Sequence, residues 1–111
     1  MASFSQLPEF ERELKKLSKR YPTLEFDVED IRQILESNPT GIGKNFTIIA
    51  TSEDTKIVKV RLHCESLRAR TVRVIYAYHK EEITFMYIEI YYKGDKENED
   101  RERIKEYLAN N

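Results

Sequence analysis

Three consecutive β-patterned runs between Ile57 and Tyr92 constrain the fold of this chain more than any other feature. The runs are Ile57–His63, Thr71–His79 and Ile83–Tyr92. Apolar and polar residues alternate in the first two, as in strands that bury one face. The third run is apolar on both faces apart from Glu89, which predicts a strand with neighbours on both sides. A short polar turn joins the second and third runs, so we expect an antiparallel hairpin within a meander.

The alternation gathers positive charge on one face of the predicted sheet. In the first run Val58, Val60 and Leu62 share one face, and Lys59 and Arg61 lie on the other. The segment 56–80 contains one acid and seven basic residues, a net charge of +6. The seven are Lys56, Lys59, Arg61, Arg68, Arg70, Arg73 and Lys80. A basic patch on a chain of net charge −1 directs a polyanion to one face, unless these charges are simply a solvated surface.

Length and composition favour one domain spanning residues 1–111. A chain of 111 residues, 40% hydrophobic and 35% charged, is long enough to form one core. No apolar run approaches the roughly 18 residues of a membrane span, and the N-terminus lacks the pattern of a signal peptide. We therefore expect a cytoplasmic protein with no membrane contact. The single cysteine, Cys64, suits a reducing compartment, and its position favours a core thiol over a nucleophile.

Two amphipathic helices are predicted before the sheet, over Pro8–Arg20 and Thr23–Ser37. Pro8 suits a first helical turn, Thr23 can cap the second helix, and Pro39 follows its end. Each helix has one apolar stripe. The stripes are Phe10, Leu14, Leu17 and Tyr21, then Leu24, Val28, Ile31 and Leu35. We expect this helical hairpin to cover one face of the sheet.

The remaining segments complete an α+β fold: an N-terminal helical hairpin packed on a twisted antiparallel sheet of three to four strands, with a C-terminal helix. Residues 45–51 are a candidate strand, and residues 3–7 are a candidate edge strand. Asn98 is the expected cap of the last helix. Two apolar anchors, Ile104 and Leu108, predict that this helix is held weakly, so that deletion after Asn98 leaves a folded protein.

Little in the chain matches a strong enzymatic motif. Two histidines and one cysteine at scattered positions cannot complete a zinc site, so we expect no metal and no cofactor. What remains is a group of cations, Lys59, Arg61 and Arg73, with Tyr91, Tyr92 and Lys93 near the end of the third strand. Cations about 5 Å apart on neighbouring strands repel one another unless an anion lies between them, and a phosphate fits. In the alternative interpretation, Glu65 and Glu89 pair with these cations.

Five short motifs, in this order and spacing, resemble the RelE/ParE superfamily of toxins from type II toxin–antitoxin modules. They are Phe10-x-x-x-Leu14-Lys-Lys-Leu17, Asn38-Pro39, Lys59-Val-Arg61-Leu, Arg73-Val-Ile-Tyr76 and Ile90-Tyr-Tyr-Lys93. The resemblance spans nearly the whole chain and is to the RelE-like branch. Acidic residues replace the basic ending of gyrase-directed members. It implies a helical hairpin, an antiparallel sheet and a C-terminal helix, in agreement with the periodicity.

The resemblance also implies an activity and its partners. A RelE-like toxin is a metal-independent mRNA endonuclease that acts in the ribosomal A site, inhibits translation and is neutralised by a cognate antitoxin. By resemblance, Lys59, Arg61 and Arg73 are the catalytic positions. Candidate RNA-binding residues are Tyr91, Tyr92, Lys93, Lys96, Arg68 and Arg70. We expect the antitoxin to lie along the apolar groove beside the last helix, at Ile104 and Leu108.

The C-terminal part departs from the family pattern. Active members have an arginine just past the last strand and a tyrosine some six residues later, where this chain has Gly94 and Asp100. Lys93 or Lys96 is a candidate substitute for the arginine, and Tyr91 or Tyr92 for stacking a base. The departure supports a second hypothesis, a non-catalytic RelE-fold binding protein that is a degenerate toxin or a module that sequesters a partner.

Overall fold

The computed structural model describes residues 2–63 and 71–110. Its elements are β1 (Ser3–Gln6), α1 (Pro8–Arg20), α2 (Leu24–Ser37), β2 (Phe46–Ser52), β3 (Thr55–His63), β4 (Thr71–His79), β5 (Thr84–Tyr92) and α3 (Arg101–Asn110). Cys64, Glu65, Arg68 and Arg70 lie outside the described residues. None of the helices in the described ranges is long and apolar enough to cross a membrane.

The strands form one five-stranded sheet in the order β1-β5-β4-β3-β2. The predicted meander is confirmed, because β3, β4 and β5 pair antiparallel in sequence. The prediction of a purely antiparallel sheet of three to four strands is wrong. β1 adds a fifth strand that runs parallel to β5, and Phe4 stacks on Phe85 at 4.6 Å between ring centroids. The stacked rings add an apolar contact between the two strands, which stabilises the pairing of a strand only four residues long.

Helices α1 and α2 cover one face of the sheet, as their apolar stripes predict. Phe10, Leu24 and Leu35 are fully buried and pack with Val58 and Val74 of the sheet in one apolar cluster. Helix α3 packs on the opposite face. Helices therefore lie on both faces, and the expectation of helical cover on one face holds for the N-terminal pair alone.

A β-bulge in β5 shapes the face that α3 covers. The register shifts so that Ile75 lies opposite Glu89 and Tyr76 lies opposite Tyr87, which leaves Ile88 without a partner in the ladder. The extra residue directs both Ile88 and Glu89 towards α3. Ile88 joins its apolar cluster, and the Glu89 carboxylate accepts a hydrogen bond from the backbone N–H of Asp100 at 2.7 Å.

Helix α3 is held by more contacts than its two predicted anchors. Tyr107 is buried beside Ile104, and the Arg103 guanidinium donates two hydrogen bonds of 2.9 Å to the Glu13 carboxylate of α1. The cap is Asp100, whose carboxylate accepts the N–H of Arg103 at 3.0 Å, and the expectation of Asn98 is wrong. These contacts fix the segment between β5 and α3, and with it the border of the cationic face.

Candidate nucleic-acid interface

The cationic face lies on the side of the sheet that carries α3, beyond the edge of that helix. We define it as Lys59 and Arg61 of β3, Arg73 of β4 and Tyr91 of β5. Strand alternation places Lys59 and Arg61 opposite the helix-covered valines, as the sequence predicts. The register pairs Arg61 with Arg73, and Arg73 with Tyr91, so the three strands contribute one continuous row.

Arg61 and Arg73 form a pair of like charges directly opposite each other on neighbouring strands. Arg61 is exposed, whereas Arg73 is only 8% exposed. Burial, and then the Arg61 charge, lower the pKa of the Arg73 guanidinium. Arg73 donates a hydrogen bond to the Thr71 hydroxyl, and within residues 2–63 and 71–110 neither arginine is ion-paired to a carboxylate. The two arginines are therefore a candidate site for an anion.

Lys59, by contrast, is already neutralised by a carboxylate. Its ammonium donates a 2.8 Å hydrogen bond to Glu99, whose side chain is 5% exposed in the segment that leads into α3. The Glu99 hydrogen bond raises the pKa of Lys59. Burial opposes ionisation of Glu99, but the Lys59 and backbone hydrogen bonds outweigh it and lower the pKa of that carboxyl. The two groups are thus a charged pair at neutral pH.

Tyr91 lies on the cationic face, but its ring is 5% exposed. Burial raises the pKa of the Tyr91 hydroxyl, and the nearby Lys59 ammonium opposes that effect. The hydroxyl is buried without a hydrogen-bond partner at normal geometry among the described residues. Lys96 lies over the ring, with Nζ 5.6 Å from its centroid. A base can stack on Tyr91 only after Lys96 moves away.

Tyr92 belongs to the other face of the sheet. Consecutive strand residues point to opposite sides, and its ring packs with Tyr21, the residue directly after α1, in the helix-covered core, 5.7 Å between centroids. Tyr92 therefore does not join Lys59, Arg61 and Arg73 on the cationic face. The same ring explains Gly94, since a side chain at Gly94 would collide with it. The position that the resemblance matches to an arginine of RelE-like toxins cannot hold a side chain here without displacing the Tyr92 ring.

The other predicted residues are placed as follows. Lys93 is exposed and donates a hydrogen bond to the backbone carbonyl of Glu97 at 2.8 Å. Lys96 forms an ion pair with Glu89, a carboxylate that is fully buried. The alternative interpretation requires Glu89 to neutralise the strand cations. Among the described residues its ion pair is instead with Lys96. No group of three or more metal-ligating side chains occurs in the described ranges.

Glu99 is the residue at this site that the sequence does not single out. It lies 40 positions from Lys59, and strand periodicity carries no information about a contact between a strand and a distant connecting segment. The available signal is composition: Asp95, Glu97, Glu99 and Asp100 cluster immediately after the basic sheet. An acidic segment that begins where a cationic strand ends can fold back onto it.

The structural comparison identifies a RelE-like fold. A chain of the crystal structure of the archaeal RelE–RelB complex from Pyrococcus horikoshii OT3 superposes with a TM-score of 0.65 and 18% sequence identity. The match covers 86% of this chain and 98% of that chain. No protein-family model matches the sequence, and no curated protein matches it either.

Proposed function

We propose that this protein is a RelE-like toxin: a ribosome-dependent mRNA endonuclease that inhibits translation and is neutralised by a cognate antitoxin. The observation that supports this most is the opposed pair Arg61 and Arg73. Two guanidinium groups that face each other without a carboxylate among the described residues destabilise the free protein and favour a bound phosphate. The RelE-like fold supports the choice of RNA as the polyanion.

The proposed reaction is attack of a ribose 2′-hydroxyl on the adjacent phosphate. The new 2′-oxygen–phosphorus bond forms as the 2′-hydroxyl loses its proton to water. The bond to the 5′-oxygen breaks as that oxygen takes up a proton from water, which leaves a 2′,3′-cyclic phosphate and a 5′-hydroxyl. Negative charge increases on the phosphate oxygens in the transition state. We expect Arg61 and Arg73 to stabilise that charge with their guanidinium donors, and Lys59 to add a third cation once it separates from Glu99.

A second candidate function is binding without cleavage, and one observation favours it. Asp100 stands where active relatives carry a tyrosine, and its carboxylate is engaged in capping α3 at the N–H of Arg103. The described residues therefore place no tyrosine hydroxyl at that position for acid–base chemistry. A degenerate toxin of this kind would still bind RNA through Arg61 and Arg73, because the arginine pair does not depend on Asp100.

The proposed antitoxin contact is a groove of about 430 Å³ between α3 and β2. Its apolar lining comes from Ile49, Ala50, Ile104 and Leu108, and charged side chains of α3 form its rim. A short amphipathic helix fits such a groove. Because α3 is tied to α1 and to Glu89, we propose that the antitoxin covers Ile104 and Leu108 without displacing the helix.

The test is inducible expression in a bacterial host, with growth and messenger integrity followed together. Wild type should arrest growth and fragment messengers, whereas Arg61→Gln and Arg73→Gln should do neither at equal protein levels. Lys56→Gln, an exposed lysine on the same strand but the other side, is the matched control and should behave as wild type. Arrest by wild type with intact messengers would support the binding protein, and unimpaired growth would contradict the toxin assignment.

A further inference from the structure

Glu99 occupies a position on the cationic face that suits a phosphate. Its carboxylate receives the Lys59 ammonium at 2.8 Å and lies 3.5 Å from the Arg101 guanidinium. The Glu99 side chain is 5% exposed, whereas Lys59 retains 24% and Arg101 82% exposure. A buried anion thus bridges an accessible cation of the sheet and an accessible cation at the start of α3.

The segment has other anchors besides this pair. The same segment is already fixed by Glu89, which accepts the Asp100 N–H, and by the Asp100 cap on α3. Glu99 instead neutralises one of the three cations of the cationic face, so that Arg61 and Arg73 remain as the charges available to a ligand. This carboxylate therefore lowers the affinity of the cationic face for a polyanion.

We propose that Glu99 sets the affinity of the cationic face for single-stranded RNA: its carboxylate takes the place of a phosphate on Lys59, and RNA must displace it to engage that lysine. The inference rests on the proposed RNA-binding function. The Glu99 carboxylate competes with the RNA for Lys59, so that lysine is available only to a ligand that can replace Glu99.

The test is binding of a short, fluorescently labelled single-stranded RNA with 2′-O-methyl groups throughout, which cannot be cleaved. Affinity is measured by anisotropy between about 50 and 200 mM salt. Glu99→Gln should bind at least about threefold more tightly than wild type at low salt, with a salt slope steeper by about 0.7, the increment for one more phosphate contact. Lys59→Met should reduce affinity more in the Glu99→Gln background than in wild type, since only there is Lys59 unopposed.

Glu97→Gln is the matched control. Glu97 is exposed two residues away, so this variant makes the same change in net charge without freeing Lys59. Equal tightening by both variants, or no tightening by Glu99→Gln, would overturn the inference, and so would the absence of RNA binding by every variant. If Glu99→Gln does not fold, Glu99→Asp, whose shorter side chain reaches Lys59 less well, should change affinity in the same direction. The proposed function is tested separately by growth arrest, so the two can fail independently.

Discussion

Arg73 illustrates at the scale of one residue how a binding site can oppose stability. Its guanidinium is 8% exposed and faces Arg61 across the β3–β4 ladder. Burial of a charge that no carboxylate of residues 2–63 and 71–110 neutralises, and repulsion between like charges, both disfavour the folded state. An apolar residue or a carboxylate at this position would stabilise the free protein better, and this is why we propose a ligand for the pair.

The first prediction follows from that conflict. Arg73→Met keeps the aliphatic stem but removes the charge, so the free energy of unfolding should rise by about 0.5–1 kcal/mol while growth arrest is lost. Urea denaturation measures the first effect and expression in a bacterial host the second. Lys56→Met, an exposed change on β3, should alter neither. A less stable Arg73→Met protein would mean that the arginine is a structural residue.

The second prediction concerns the pH dependence of stability. The pKa of Glu99 is lowered from 4.5, so its ionised form stabilises the folded state above that pH, and the contribution is lost as the pH falls through the folded-state pKa. The pKa of Lys59 is raised from 10.5, so its contribution is present below that pH and lost above it. The stability difference between wild type and Glu99→Gln should therefore shrink below pH 4.5. If the stability of the two proteins changes in parallel below pH 4.5, the ion pair between Lys59 and Glu99 is contradicted.

Local pattern was sufficient to place the strand cations but not their partners. Alternation assigns Lys59, Arg61 and Arg73 to one face because side-chain direction repeats every two residues. The same rule shows that Tyr91 and Tyr92 cannot share a face. It contains nothing about Glu99, whose position depends on the path of the chain after β5.

At the scale of elements, α3 is held by hydrogen bonds of Arg103 as well as by buried apolar side chains. Arg103 joins it to Glu13 of α1 and to the Ile88 carbonyl of β5. The third prediction is that Arg103→Met lowers the free energy of unfolding by about 1.5–3 kcal/mol, since charged hydrogen bonds between partly buried groups are lost. Arg101→Met, an exposed change in the same turn, should stay within about 0.5 kcal/mol of wild type in the same denaturation series. Equal effects of the two changes would mean that the Arg103 hydrogen bonds do not stabilise the packing of α3.

The fourth prediction revises what the sequence indicates for the C-terminal helix. Deletion after Asn98 removes buried Ile104 and Tyr107 and leaves fully buried Glu89 without the Asp100 N–H. Each lost anchor costs about 2–5 kcal/mol, against a total stability of about 5–15 kcal/mol for a domain. We expect the truncated chain to show no cooperative thermal transition. A cooperative transition near that of the full chain would show that α3 is dispensable.

The elements that the sequence predicts well are those with strong local periodicity. Helix α1 and strand β4 have the predicted bounds, because a proline opens the helix and polar residues flank the strand. The parallel pairing of β1 with β5 was not predictable in this way, since a four-residue run does not specify its neighbour. The bulge at Ile88 is equally hidden, as its run is apolar on both faces.

At the scale of the whole molecule, the RelE-like fold and the cationic face support different parts of the proposal. The fold is shared with a RelE–RelB complex chain at 18% identity, and a fold alone does not specify an activity. The proposed activity depends on whether Arg61 and Arg73 act on a messenger although Gly94 and Asp100 stand where the resemblance implies an arginine and a tyrosine. Growth arrest relieved by co-expression of a small neighbouring reading frame would support the toxin and its antitoxin together.

Cleavage of a messenger on programmed ribosomes tests the central claim most directly. Purified protein is added to ribosomes that carry an end-labelled messenger with a defined codon in the A site, and the products are resolved by length and by their terminal phosphate. Wild type should cut within that codon and leave a 2′,3′-cyclic phosphate, Arg61→Gln should not cut, and the same messenger without ribosomes should stay intact. An intact messenger on ribosomes to which the wild-type protein is bound would contradict the nuclease assignment.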